Sequence, residues 1–150
     1  MFNLETICDA LAARYTGTAI GTPSNALGMR ATYGQMPNSV PVTPSVVIMP
    51  KTGEVVYGSG SWDVTHQIDA LFYHSKRQGD VPRSETERQR WLPYLLSATH
   101  GMMALGLGGT VKSAMPTGYE FVVLPYGGDE YDGIVVHLDV IVRETVTLTP

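Results

Sequence analysis

The chain has 150 residues, of which only 16% are charged, and its ten basic against fourteen acidic side chains leave a net charge of −4. That length fits one ordinary domain, the charge content lies well below the roughly 25% usual for soluble domains, and the acidic balance disfavours a globally basic nucleic-acid binder. A lone cysteine, Cys8, excludes a disulfide scaffold, and no apolar run approaches the ~20 residues a membrane-spanning helix needs. Met1-Phe2-Asn3-Leu4-Glu5 has neither the basic start nor the apolar stretch of a signal peptide, so a soluble intracellular product is expected.

In residues 3–15, Leu4, Ile7, Cys8, Leu11 and Tyr15 recur at spacings of three and four, the stripe of an amphipathic helix. Asn3 suits its N-cap, Glu5 and Arg14 suit its dipole, and Gly17 suits its end. Residues 16–44 are rich in Gly, Pro, Ser, Thr and Asn and read as an extended loop or arm, with 29–33 as a short strand. Residues 34–44, with three prolines, stand out within it because long loops in small domains tend to carry function. Residues 45–49 and 54–57 read as two strands of a hairpin turning at Lys51-Thr52-Gly53.

From residue 61 to 74 the chain alternates, with Trp62, Val64, Ile68, Ala70 and Phe72 on one side and Asp63, Thr65, Gln67 and Asp69 on the other. Residues 75–83 are polar, and Ser84-Glu85-Thr86-Glu87 forms a capping box that opens a second helix. Trp91, Leu92, Leu95, Leu96, Thr99 and Met103 supply its buried stripe, Pro93 predicts a kink or break near residues 90–92, and Gly106, Gly108 and Gly109 stop it. Residues 110–115, 119–124 and 134–148 read as three further strands, with 126–133 as a loop between two of them. The expected fold is a single α+β domain: a mostly antiparallel sheet packed against an N-terminal helix and a kinked mid-chain helix.

Chemistry is harder to find. His66, His74, His100 and His137 lack the close His or Cys pairing of zinc sites, and core or interface histidines are the simpler reading. Gly127-Gly128-Asp129-Glu130-Tyr131-Asp132-Gly133 gathers three carboxylates, yet departs from the calcium-loop spacing and reads better as a turn. Cys8 lies on an apolar helix face without a cationic neighbour, as a small hydrophobe does. Lys76, Arg77, Arg83, Arg88 and Arg90 form the main basic concentration, most simply a solvated loop and helix start. No catalytic, cofactor or metal residues are assigned.

The N-terminal helix containing Leu4 to Leu11, the strand Pro44-Ser45-Val46-Val47-Ile48-Met49-Pro50, the long strand from Trp62 to His74, the mid-chain helix and the segment from Tyr119 to Arg143 with its Tyr126-Gly127-Gly128-Asp129-Glu130-Tyr131-Asp132-Gly133 turn follow one another as in a known family. In this layout the chain resembles the tail terminator proteins of long-tailed, siphovirus-like phages, minor tail proteins of the virion. The resemblance implies a non-enzymatic ring of six identical subunits at the head-tail interface. Such a ring caps the tail tube protein, stops tail elongation, and joins the tail to a head-tail connector or stopper protein while genomic DNA passes through its channel. It implies no cofactor, no membrane and no sequence-specific DNA binding. By analogy of position, the interfaces would involve Gln35, Met36, Pro37 and Asn38, then Lys76, Arg77 and Arg83, then Asp129, Glu130, Tyr131 and Asp132. The alternatives are another head-tail joining ring, a stopper or tail completion protein; a small hydrolase using Asp63, Asp69 or His66; or a ligand-binding domain with Trp62 and Trp91 lining its pocket.

Overall fold

In the computed structural model, residues 4–20, 27–39, 42–58, 60–77, 81–99 and 111–145 are described. The first amphipathic stripe forms α1 (Leu4–Tyr15), which buries Ile7, Cys8, Leu11, Ala12 and Tyr15. The arm that follows holds three short strands, β1 (Ala19–Ile20), β2 (Leu27–Gly28) and β3 (Ala31–Tyr33). Then come β4 (Ser45–Tyr57), β5 (Ser61–Lys76), α2 (Val81–Thr99), β6 (Val111–Tyr126) and β7 (Asp129–Thr145). β1 pairs with β2, while the main sheet has the order β3-β4-β5-β7-β6, antiparallel except where β3 runs beside β4. The α+β architecture with its N-terminal and mid-chain helices is therefore as expected.

Five local expectations are corrected. Residues 45–57 form one strand, not a hairpin: the Lys51-Thr52-Gly53 turn signal is spent on a bulge, a register shift between Pro50 and Thr52 on β5. The two strands expected over 110–124 are likewise one, β6, with irregularities between Val111 and Ser113 and between Pro116 and Gly118. The loop expected at 126–133 shrinks to Gly127 and Gly128, both at positive φ (60° and 86°), and Asp129 opposite Tyr126 already belongs to β7. That two-residue turn matches the right-handed twist of its flanking strands, which is why two glycines there favour a tight hairpin. α2 starts at Val81, ahead of the capping box, with Pro82 in its first turn. Of the kink or break expected near residues 90–92, the break is absent: α2 is continuous through Pro93, which lies on the exposed side while Trp91 and Leu95 are sealed in the core. The expected cap at Asn3, His100, Met103, the glycine stop at 106–109 and the strand end at 146–148 lie outside the described residues.

Alternation decides what each face does. Val46, Ile48, Ile68, Ala70, Phe72, Ile134, Val136, Leu138 and Val140 point to the face covered by α1 and α2, where Trp91 packs on Phe72 with ring centroids 5.0 Å apart. The opposite face carries a second apolar cluster of Val47, Leu71, Tyr73, Tyr131 and Val135, joined by Tyr33, Met49, Val122, Leu124 and Tyr126. Beyond Met49 every residue of β4 is exposed.

Candidate interaction surface

At one end of the sheet, β5 ends, α2 begins and the β6–β7 turn closes. The structure brings two of the three expected contact segments together there. Lys76 Nζ lies 3.1 Å from Asp129 Oδ1, and the Arg77 amide donates to the Glu130 carbonyl at 2.9 Å. Tyr131 and Asp132 are buried, Tyr131 stacking edge-on against Tyr73 at 5.5 Å. Arg83 lies in the first turn of α2. The third segment is elsewhere, against α1: Gln35 donates to Asp9 Oδ1 at 3.2 Å, and Gln35 and Met36 help line an open groove of about 570 Å3 with Leu4, Cys8, Ile48 and Met49. Pro37 is half-buried and Asn38 exposed beside it. Gly34 is pressed against Asp9 at this point, so α1 itself sets where the segment runs.

Beneath that end, α2 is tied to the sheet by polar contacts. His74 Nε2 meets Glu87 Oε2 at 2.9 Å, its Nδ1 lies 2.9 Å from Ser75 Oγ, and Arg88 donates to the Gly133 carbonyl at 3.1 Å while lying 5.6 Å over the Phe121 ring. Burial is the main influence on His74 and lowers its pKa, opposed by Glu87 and Asp132 and reinforced by Arg88. Cys8 is pushed up to about 11 by burial, so its thiol stays protonated.

On the face away from the helices, His137 Nδ1 lies 2.7 Å from Asp69 Oδ1, and the Thr117 hydroxyl donates to the His137 carbonyl. Further along, Arg143 holds both oxygens of Asp63 and Lys112 stands 3.6 Å away; the Arg143 hydrogen bond keeps the Asp63 carboxyl below its usual pKa. Among the described residues no three His, Cys, Asp or Glu side chains converge as a metal site. Trp62 stacks on Tyr57 while Trp91 packs on Phe72, ten positions along β5 from Trp62 and so roughly 33 Å away. They do not share a pocket.

The residues that sequence reasoning missed are apolar. Nine large hydrophobic residues among those described are exposed, and seven lie on the two outer long strands: Val55, Val56 and Tyr57 on β4, and Met115, Tyr119, Phe121 and Val123 on β6. On β6 their alternation is visible in the sequence and on β4 they are consecutive, and both read as ordinary strands until the sheet order leaves β6, and β4 beyond the short β3, at the edges among the described residues. Compared with known proteins, the chain matches no protein-family model and no curated protein sequence. No helix among the described residues is long and apolar enough to cross a membrane.

Proposed function

We propose that the chain is a structural protein of a phage virion, a tail terminator that assembles as a ring, caps the tail tube and joins it to the head connector. The observation that carries this reading is the concentration of exposed apolar side chains on both outer strands of one sheet. Water-facing Tyr57 at 72% and Val56 at 58% exposure are costly on a monomer and ordinary in a subunit covered on two sides. The order of helices and strands agrees with the resemblance, and a net charge of −4 suits a conduit past which DNA phosphates slide without gripping. Capping follows from geometry alone: a ring seated on the growing tube end blocks addition of the next tube subunit and presents a new surface to the head.

The hydrolase alternative draws on one observation, the His137 and Asp69 pair, which resembles a general base with its orienting carboxylate. A working site would also need a nucleophile within reach of that imidazole, and among the described residues no hydroxyl or thiol side chain is hydrogen-bonded to the His137 ring, the Thr117 hydroxyl going to the His137 main-chain carbonyl instead. The capping reading is tested by negative-stain imaging of the purified protein mixed with polymerising phage tail tube protein. Rings at tube ends and arrested elongation are expected; tubes that keep growing with bare ends would remove it.

A further inference from the structure

The sheet ends laterally in two strands whose outer edges have no partner strand among the described residues: β4 beyond Val47, where β3 stops, and β6 along its length. Each edge is interrupted by proline, at Pro50, Pro116 and Pro125, which cannot donate to a ladder. The uninterrupted donor runs are residues 52–57 of β4 and 117–124 of β6. Those two runs hold Val55, Val56 and Tyr57, and Tyr119, Phe121 and Val123, six of the exposed apolar residues.

Strand direction alternates from β4 through β5 and β7 to β6. A second copy set beside β6 with its strands running the same way as those of the first has its β4 antiparallel to β6, so the alternation continues. This contact covers both apolar edges of every copy, whereas two-fold pairing of β6 on β6, or of β4 on β4, leaves the other edge in water. We infer that residues 52–57 of one copy add as a strand to residues 117–124 of the next, a head-to-tail edge contact between copies of this chain. The inference rests on the ring reading above and names the contact that builds the ring. The two runs sit at opposite ends of the sheet: Val55 is level with Val111 through Val64 and Val142, and Phe121 with Val46 through Ile134 and Phe72. Successive copies are therefore staggered along the strands, and closure requires strands inclined to the ring axis, the linkage between tilt and stagger that closed β-barrels obey. The prolines and bulges confine pairing to these runs and guard the rest of each edge against indiscriminate association.

A lysine on an edge strand opposes pairing, so Val56→Lys blocks one edge and Val123→Lys the other, each at an exposed position. Light scattering of the wild type should rise with concentration above the 16.3 kDa of one chain. Each variant alone should stay at that mass with an unchanged circular dichroism spectrum. Mixed in equal amounts they should form a dimer of twice the mass and stop, because one intact β6 edge then meets one intact β4 edge. Tyr94→Lys, on the exposed side of α2, should assemble as the wild type does. A variant that dimerises alone, a mixture that stays monomeric while the wild type assembles, or a wild type that remains one chain at its highest soluble concentration would each overturn the edge contact. Rings that survive both substitutions would overturn it while leaving the capping reading in place; edge pairing that follows this rule beside bare, growing tube ends would do the reverse.

Discussion

Gly133 shows how a single residue can be required by its surroundings. A methyl group there would come within 2.5 Å of the Phe72 carbonyl oxygen and of Leu124 Cδ1, while the Gly133 carbonyl receives Arg88. Backbone cannot yield as a flexible side chain does, so Gly133→Ala should destabilise the fold by about 1–3 kcal/mol, read from a lowered urea midpoint. His74 makes the pH dependence. Its pKa is lowered in the fold, with Phe72 on its own strand, Glu87 and Arg88 from α2 and Asp132 from β7 around it. The unfolded chain therefore takes up the proton first as pH falls, so stability is full above the ordinary value of 6.5 and is lost below it. Urea midpoints at successive pH values should drop across that window, and His74→Gln should flatten the drop.

At the scale of elements, opposing local and tertiary preferences are visible in α2 and β4. Pro93 deletes a helical hydrogen bond, yet burial of Trp91 and Leu95 in the shared core holds the helix together across it. Because Pro93 is exposed, Pro93→Ala should restore the donor without disturbing packing and raise stability by about 1–3 kcal/mol, seen as a higher melting temperature. In β4, Lys51-Thr52-Gly53 has turn-forming composition, but residues on both sides find matching partners on β5, from Ser45 opposite Tyr73 to Tyr57 opposite Trp62. Twelve paired positions outweigh one local turn preference, and the extra residue becomes a bulge. The Gly127-Gly128 turn is the reverse case, where local composition and tertiary pairing agree.

At the scale of the whole molecule, one sheet carries its core on the helix side, a tyrosine-rich cluster on the other and, among the described residues, apolar edges without a partner strand along β6 and along β4 beyond Val47. An assembly held by main-chain pairing and apolar edges responds weakly to ionic strength. Raising salt from about 0.1 to about 1 M shortens electrostatic screening from ~10 to ~3 Å, and the mass of the assembled protein should stay the same by light scattering. A contact dominated by Lys76, Asp129 or other exposed charges would instead dissociate.

The sequence by itself determined the class of fold, α1, the long alternating strand β5 and the buried stripe of α2, because periodicity of three to four or of two reports which side of an element must leave water. It also placed Lys76 and Arg77 in one exposed segment, and Asp129 and Glu130 in another. Only the tertiary structure decided that these segments meet, that Tyr131 and Asp132 turn inward, that Asp69 finds His137, and that β6 and, beyond Val47, β4 form the edges of the main sheet among the described residues. Those facts depend on strand order and register, set by pairings between residues as far apart as Asp69 and His137, and a local pattern carries no information about which strand will be its neighbour. The same apolar alternation means core in β7 and an uncovered edge in β6; position in the sheet makes the difference.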